Sequence, residues 1–478
     1  MASLVSRSRT IASDTITPIG ALAALGTPGA SCLLESVESG GRISRYSFVG
    51  IDYLEARTFK DDGNMIAAIR AFVNGHRDRV DDPFRLGGAL VAFSYDAARS
   101  FARLPDREPA VPPMPAAYVA LPATWLIFDH FSDELAIWTC GEREGDLEAR
   151  IGSYVDRLMS ARPSLPGAVR AIEPVEASLD RSQFLDLARR VKEYILDGEV
   201  YQLQLGIRFS AQLDGKAFDV YRAVRSRNPS PYMFYVDAPF GQLLGASPEF
   251  LVRLEGRAAR IRPLAGTRPR GSDESQDLII AGELLANEKE RAEHVMLVDL
   301  GRNDLGAVCD FGSVKVSELL QLERYSHVMH IVSDVTGTLR SGCDALDLFA
   351  AGFPAGTVTG TPKIRAMQLI DELEPVARGY YAGSIGRWAF SGDFDSCITL
   401  RSMHVHDGDI HWQASAGIVA DSDPEAEYDE ILGKTEIARV VLQCHPEQPL
   451  AAKAGASSKD PEQRATARES KGVEVGAR

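Results

Sequence analysis

The stretch Arg181–Ser210 (RSQFLDLARRVKEYILDGEVYQLQLGIRFS) passes from a helix pattern into a strand pattern. Its first half repeats large apolar residues at the spacing of one helix face, namely Phe184, Leu187, Val191 and Ile195. Gly198 suits the end of such a helix. Val200–Phe209 and Leu243–Leu254 are then typical of strands, and the two signals alternate as far as about Leu442. The sequence therefore predicts a mixed α/β (α+β) fold.

A chain of 478 residues is longer than one average domain and is able to bury a large core. We predict an N-terminal region over residues 1–162, a proline-containing linker over 163–178 and a second region over 179–445. Residues 449–478 consist mainly of Ala, Lys, Glu, Ser and Gly, so burial of apolar surface cannot offset their ordering entropy. We expect that tail to be disordered.

The net charge of −15 argues against nucleic acid or an anionic membrane as a partner, because both require clustered Lys and Arg. The apolar runs are too short or too interrupted to span a bilayer, and the first residues lack the apolar core of a secretion signal, so we expect a cytoplasmic protein. The six cysteines lack metal-ligand spacing, which predicts neither a disulfide framework nor a zinc site. With this net charge, an anionic substrate would need a locally basic pocket.

Two pairs of acidic residues recur at helical spacing. Glu290 and Glu293 lie three residues apart in one helix-forming run, and Glu427 and Glu430 repeat that spacing near the end of the second region, with Lys434 one turn later. Residues three apart share a helix face. Each pair alone is typical of a solvated acidic face, but two pairs on converging helices would suit a hard cation such as Mg²⁺.

The Gly- and Thr-rich segment Gly352–Lys363 (GFPAGTVTGTPK) lacks the spacing of a Walker loop, because Thr361 and Pro362 separate its lysine from the preceding glycine. Its backbone N–H groups would still suit an anion such as a carboxylate, and the turn Ala414–Gly417 offers the same groups. His330 alternates with apolar residues, a pattern that fits a core histidine as well as a site residue.

Many long segments of the chain have counterparts, in the same order, in one known family. They are LLES at Leu33–Ser36, RYSFVG at Arg45–Gly50, NPSPYMFY at Asn228–Tyr235, GASPE at Gly245–Glu249, PLAGTRPRG at Pro263–Gly271, KERAEH at Lys289–His294, DLGRNDLG at Asp299–Gly306, RYSHVMH at Arg324–His330, PAGTVTGTPK at Pro354–Lys363 and GIVADSDPEAEYDE at Gly417–Glu430. Through them the chain resembles the chorismate-utilising enzymes, which include anthranilate, aminodeoxychorismate, isochorismate and salicylate synthases.

The resemblance implies an anthranilate synthase component I-like fold, in which two large β-sheets stack with helices outside them. It also implies a deep cleft for chorismate and Mg²⁺. Carried over by motif, Glu293 and Glu430 would bind Mg²⁺ directly, and Glu290 and Glu427 would bind it through waters. The metal would hold the ring carboxylate of chorismate and polarise the ring as a Lewis acid.

The same motifs imply a set of substrate-binding and catalytic residues. The expected substrate-binding groups are Tyr381 and Arg401 at the enolpyruvyl carboxylate, the backbone of Ser415, Ala416 and Gly417, and Lys434 near the ring carboxylate. Glu249 resembles the general acid that protonates the departing C4 hydroxyl, a role that requires a carboxyl still protonated near neutral pH. His330, Thr267 and Thr357 complete the expected catalytic set.

Two positions distinguish the branches of the family. Gln202 stands where the water-using synthases carry a lysine base, and Ala265 stands where aminodeoxychorismate synthases carry a nucleophilic lysine. The resemblance therefore favours attack of ammonia at C2, as in anthranilate synthase, a lyase of tryptophan biosynthesis. An aminodeoxyisochorismate synthase, which retains the pyruvate group, stays an alternative. A non-enzymatic tryptophan sensor is disfavoured because the expected catalytic and metal residues are all present.

Two further predictions concern partners. The chain contains no GxCxG nucleophile turn of a glutaminase, so we expect a separate glutamine amidotransferase subunit to supply ammonia within a hetero-oligomer. The segments LLES and NPSPYMFY resemble the tryptophan feedback site, although simple packing of strands would also explain them. The residues expected there are Leu34, Glu35, Ser36, Arg45, Asn228, Pro229, Ser230, Tyr232 and Met233.

Overall fold

The computed structural model describes residues 3–36, 45–105, 107, 112–162, 164–324 and 328–444, and so excludes the predicted C-terminal tail. Its strands are β1 (Leu4–Ala12), β2 (Ser31–Glu35), β3 (Tyr46–Phe59), β4 (Val80–Asp81), β5 (Gly88–Phe93), β6 (Ala117–Asp129), β7 (Glu134–Gly141), β8 (Arg170–Ala177), β9 (Gln202–Asp214), β10 (Tyr232–Ala238), β11 (Gly241–Ser247), β12 (Phe250–Glu255), β13 (Ala258–Ile261), β14 (Leu264–Pro269), β15 (Lys315–Arg324), β16 (Val328–Thr338), β17 (Gly360–Thr361), β18 (Ser384–Ala389), β19 (Phe394–Ile398), β20 (Ser402–His406) and β21 (Asp409–Ile418). Its helices are α1 (Pro18–Leu25), α2 (Met65–Arg77), α3 (Glu144–Ser160), α4 (Arg181–Leu196), α5 (Ala217–Arg227), α6 (Glu274–Ala286), α7 (Glu288–Val308), α8 (Ala345–Gly352), α9 (Lys363–Leu373), α10 (Pro424–Lys434) and α11 (Glu436–Leu442).

The strands form two large, mainly antiparallel sheets joined by two long strands. One sheet runs in the order β8, β9, β21, β20, β11, β10, β2, β3, and the other runs β6, β5, β18, β19, β12, β13, β16, with β14 and β15 also on β16. Strands β3 and β6 pair with each other along most of their lengths and so connect the two sheets. The fold class predicted from the sequence is confirmed.

An apolar layer lies between the two sheets, and helices cover their outer faces. Phe234 and Leu243 of the first sheet share one buried cluster with Leu90 and Ile385 of the second. A second cluster packs α1, α3, α4, α5 and α11 on the outside of the first sheet, and a third packs α2, α7 and α8 on the second. This is the stacked arrangement that the resemblance implied. No helix within the described ranges is long and apolar enough to cross a membrane.

Early and late parts of the chain share the same sheets. Strand β2 pairs with β10, and β5 pairs with β18. The segment predicted to be a linker contains β8, which pairs with β9 and buries Ala171 and Val175. The prolines of this segment predicted a linker, but proline is tolerated in a strand at the sheet edge, which is where β8 lies. The predicted domain boundaries themselves stay a prediction.

Two local features position later site residues. The predicted strand Leu243–Leu254 is interrupted at Pro248, which cannot donate a backbone hydrogen bond, and Glu249 lies in this break between β11 and β12. Helices α7 and α10 form where the acidic pairs predicted them. Their first turns are capped by the side chains of Asn287 and Asp423, which accept hydrogen bonds from backbone N–H groups.

Candidate functional site

Glu249 is a buried carboxyl group with only one side-chain partner among the described residues. Thr357 donates its hydroxyl hydrogen bond to the two carboxyl oxygens, at 3.2 and 3.3 Å. Burial raises the pKa of Glu249 to about 8, although the bonds from Thr357 and from the backbone of Leu264 oppose the shift. Glu249 therefore carries a proton at neutral pH and is able to donate it.

His330 lies on β16, where it is opposite Thr267 of β14 in the strand ladder. Burial and the nearby charge of Arg401 lower the pKa of His330 to about 4, although a backbone hydrogen bond with Gly266 opposes the shift. The imidazole is therefore neutral near pH 7 and is able to accept or donate a hydrogen bond. The predicted role of the Thr267 side chain falls outside the described part of the structure.

Arg401 supplies a positive charge beside His330. Burial lowers the pKa of its guanidinium group, and no carboxylate within the described ranges forms an ion pair with it. The neighbouring segment carries Tyr381, since Ala382 donates a backbone hydrogen bond to Thr399. A desolvated cation without a counter-ion is costly, so this position suits a carboxylate from a ligand.

Strands β9 and β21 present polar side chains on one shared face. Tyr381 and Ser415 are joined by a 2.7 Å hydrogen bond between their hydroxyl groups, and Ser415 donates to Gln204 Oε1 at 2.8 Å. Lys434 Nζ donates to the backbone oxygen of Ser415 at 2.8 Å and lies 2.7 Å from Glu430. The predicted turn Ala414–Gly417 is wrong, because these residues belong to strand β21 and pair with β9. The contacts of Tyr381, Gln204 and Lys434 hold the strand backbone at Ser415 in place.

Gln202 lies on the same face and has an unsatisfied polar atom. Its side chain is buried, and its Oε1 has no hydrogen-bond partner among the described residues. A Cβ atom at Gly417 would lie 2.7 Å from Gln202 Nε2, so only glycine allows this close approach. The φ of Ser415 is not positive, so its side chain introduces no backbone strain.

The four predicted metal carboxylates come from the first turns of α7 and from α10. Burial raises the pKa of Glu293, and the charges of Glu290, Glu427 and Glu430 raise it further, against the field of Lys289. The pKa of Glu427 is likewise raised by burial, then lowered by Ser422 and raised by Glu430. Carboxylates of two helices therefore repel one another, as expected for a site that a divalent cation would stabilise.

Cations of the protein partly offset this repulsion. Arg268 lies 3.0 Å from Glu290, Lys289 lies 3.9 Å from Glu293, and Lys434 pairs with Glu430. No group of three or more acidic, histidine or cysteine side chains in the described ranges is already close enough to hold a metal ion. The donor set fits Mg²⁺ in charge and in chemistry, and the side chains would have to rotate out of these ion pairs to bind it.

The segments predicted to bind tryptophan meet where β2 pairs with β10. Ser36 donates to the backbone oxygen of Pro231 at 2.9 Å, and the buried Nδ2 of Asn228 has no partner among the described residues. Leu34 and Met233 lie on these paired strands, and Pro229 and Ser230 lie in the segment just before β10.

Three of the predicted tryptophan residues already have strong partners. Glu35 accepts from Tyr221 at 2.6 Å and forms a two-point ion pair with Arg225. The side chain of Arg45 pairs with Asp129. Tyr232 donates to Asp395 Oδ1 at 3.0 Å. Their charged and polar groups therefore stabilise this region before any ligand binds.

Sequence analysis missed Gln204 and the ion pair of Glu374 with Arg378. Gln204 follows Gln202 by two positions on β9, so the two amides share one face of the strand. This two-residue spacing in the sequence could have predicted that Gln204 lies in the site with Gln202. Arg378 and Glu374 are almost fully buried, and their nitrogen and oxygen atoms are 2.6 Å apart. Nothing in their local sequence indicated that burial.

Replacement of Glu249 tests the origin of its raised pKa. The folded protein holds this proton up to about pH 8, whereas the unfolded chain releases it near its ordinary value of 4.5. Wild-type stability should therefore fall, relative to Glu249→Gln, as pH rises from about 5 to 8, by up to about 1.4 kcal/mol per pH unit, and the difference should level off above pH 8. Urea unfolding from pH 5 to 9 measures it.

The matched control is Glu255→Gln, at the exposed end of β12. Its difference from wild type should stay constant over the same pH range. A constant difference for Glu249→Gln as well would contradict a buried, protonated Glu249.

Comparison with known proteins places the chain in a family. The profile of the chorismate binding enzymes matches residues 33–439. The chain is 42% identical over 455 residues to anthranilate synthase component 1 of Thermus thermophilus. The aligned residues cover 91% of this chain and 96% of that protein. The crystal structure of anthranilate synthase component I from Streptococcus pneumoniae gives a TM-score of 0.75 at 30% identity, over 90% of this chain and 99% of that one.

A second solved structure shows how widely the fold is shared. The menaquinone-specific isochorismate synthase of Escherichia coli also gives a TM-score of 0.75, at 21% identity, over 92% of this chain and 96% of that one. This likeness bears on the fold alone. With the family match over most of the chain, the conclusion is that this chain belongs to the chorismate binding enzymes.

Proposed function

We propose that the chain is the large subunit of an anthranilate synthase, which converts chorismate and ammonia into anthranilate, pyruvate and water. The observation that carries the proposal is the buried Glu249, whose proton is retained to about pH 8. A neutral, buried carboxyl suits a reaction in which a hydroxyl must leave as water, and the desolvated Arg401 suits an anionic substrate. The extended identity to anthranilate synthase component 1 of Thermus thermophilus supports the same activity.

The side chains of the site suggest a division of labour. Arg401 and Tyr381 would bind the enolpyruvyl carboxylate, and the backbone at Ser415 to Gly417 would contact the substrate through its N–H groups. Ammonia would attack C2 with its lone pair while Glu249 gives its proton to the C4 hydroxyl, which leaves as water. Loss of the C2 proton and of the enolpyruvyl group, as pyruvate, would then give the aromatic ring. Neutral His330 would assist beside the ring.

Gln202 and Ala265 support ammonia as the nucleophile. An amide has no useful basicity, so Gln202 would orient a neutral nucleophile rather than deprotonate water. Its Oε1, which has no partner among the described residues, would accept the hydrogen bond. Ala265 offers no amine for a covalent intermediate. Ammonia needs no base to attack, whereas water does.

Glu293 and Glu430 would hold Mg²⁺ directly, and Glu290 and Glu427 would act through its waters. A bound Mg²⁺ would supply positive charge to the ring carboxylate and withdraw electrons from the ring. Lys434, hydrogen-bonded to Ser415 and paired with Glu430, would keep positive charge near that carboxylate.

Product analysis tests the choice of nucleophile. With chorismate, Mg²⁺ and an ammonium salt, the purified chain should form anthranilate. With glutamine alone it should form none until a separate glutaminase subunit is added, and without ammonia it should form no hydroxylated product. Chromatography distinguishes anthranilate from aminodeoxyisochorismate. Release of aminodeoxyisochorismate instead of anthranilate would show that the proposed product is wrong.

The variant Gln202→Lys should lose anthranilate formation, with at most a trace of isochorismate, because the amine displaces the orienting amide. The matched control is Gln212→Lys, at an exposed position of the same strand, which should retain activity. Substantial hydroxylated product from wild type would show that Gln202 does not select ammonia.

Metal removal tests the carboxylate assignment. Treatment with EDTA should abolish activity and added Mg²⁺ should restore it, and Glu293→Gln and Glu430→Gln should each lower activity at least about a hundredfold, since each removes an anionic ligand. The control Glu425→Gln lies on the same helix but pairs with Arg181 at the surface. Full activity of either Gln variant at Glu293 or Glu430 would exclude that residue as a ligand.

A tryptophan site at β2 and β10 is the regulatory part of the proposal. The unpaired Nδ2 of Asn228 and the Ser36 hydroxyl support it, because both are polar groups able to bond an amino acid. Tryptophan should raise the melting temperature and weaken chorismate binding, because opposing ligands couple reciprocally.

Ser36→Arg should erase both tryptophan effects by filling the site with a long charged side chain. Ser160→Arg, at the exposed end of α3, should preserve them. Calorimetric melting with and without tryptophan at millimolar concentration makes the comparison. If tryptophan leaves the melting temperature of wild type unchanged, the proposal of a tryptophan site is wrong.

A further inference from the structure

The hydroxyl groups of Tyr381 and Ser415 and the amide of Gln204 form one buried hydrogen-bond chain. Ser415 has a single proton, which it donates to Gln204 Oε1. The Tyr381 hydroxyl must then donate its own proton to Ser415 Oγ. In this direction the phenolic proton is committed within the protein and is not available to a carboxylate.

The amide of Gln204 allows the donors and acceptors of this hydrogen-bond chain to be reversed. An amide carries an acceptor oxygen and a donor nitrogen on one carbon, so a half turn presents Nε2 to Ser415 instead of Oε1. Ser415 would then accept from Gln204 and donate to Tyr381, and the phenolic proton would be free. Burial raises the pKa of Tyr381 above its ordinary value, so this proton remains on the phenol.

We propose that Ser415 and Gln204 are positioning residues that turn the Tyr381 proton toward the enolpyruvyl carboxylate of chorismate. This inference rests on the proposed function. In the absence of substrate, a water molecule would be able to satisfy the Tyr381 oxygen. Once the substrate displaces that water, Ser415 is the described neighbour able to donate to the phenol oxygen while Tyr381 donates to the substrate.

The Ser415 hydroxyl therefore matters in the bound state, where its loss removes the side-chain donor to the phenol oxygen and leaves the backbone hydrogen bond of Ser415. The hydroxyl of Ser415 thus acts through Tyr381 rather than on the substrate.

The test measures chorismate binding by isothermal titration calorimetry with the full chain and Mg²⁺, in buffer free of ammonia and glutamine so that no amination occurs. Ser415→Ala and Tyr381→Phe should each raise Kd about tenfold, the effect of one hydrogen bond in a buried site. The double variant should bind no more weakly than Tyr381→Phe alone, because Ser415 acts through the phenol hydroxyl. The control Ser384→Ala, a buried serine on β18, should bind as wild type does.

Two results would overturn the inference while leaving the proposed function intact. One is an unchanged Kd for Ser415→Ala, and the other is an equal loss on adding Ser415→Ala to the Tyr381→Phe background, which would show a purely structural role. If Ser415→Ala melts at a lower temperature than wild type, Ser415→Thr provides a second comparison, because it retains a hydroxyl and should bind chorismate as wild type does; a tenfold weaker Kd for a stably folded Ser415→Thr would overturn the inference. Failure of wild type to bind chorismate would instead overturn the proposed function, and the inference with it.

Discussion

The buried ion pair of Arg378 with Glu374 holds together the parts from which the candidate site is built. Its nitrogen and oxygen atoms are 2.6 Å apart and almost fully buried. Arg378 also donates to the backbone oxygens of Val358 and Gln204, and Glu374 accepts from the backbone N–H of Gly206. One pair thus ties strand β9 to the loop that carries Thr357. Loss of one partner from such a pair costs about 3–5 kcal/mol, because the other charge is left buried alone.

The electrostatics of the cleft differ sharply from those of the whole chain. The net charge is −15, yet the site combines Lys434, Arg401, which forms no ion pair within the described residues, and two groups held neutral by burial, Glu249 and His330. The negative charge of the site is concentrated in the carboxylates of α7 and α10, where burial and then mutual repulsion raise the pKa of Glu293. A divalent cation there would reverse the local sign, so an acidic protein is able to bind an anionic substrate.

The sequence predicted what local physics determines. Helices α4, α7 and α10 follow from apolar or acidic spacing and from capping residues, so their existence was readable from a single chain. The pairing of β2 with β10 was not, because it joins residues about two hundred positions apart and depends on the whole core. The break at Pro248 was missed for a different reason, since the apolar residues on either side of Glu249 form a continuous strand pattern.

The spacing of residues in the sequence identified candidate site residues, but it did not predict which side chains would contact them. That Glu290 and Glu293 share a helix face was predictable, whereas their approach to Glu427 required the two helices to converge. The role of Gln204 was hidden because its amide matters only beside Ser415, which lies on the adjacent strand β21 and is distant in sequence. A buried hydroxyl without a partner costs stability. The Ser415 hydroxyl is stable in this position because the neighbouring strand β9 supplies the amide oxygen to which it donates.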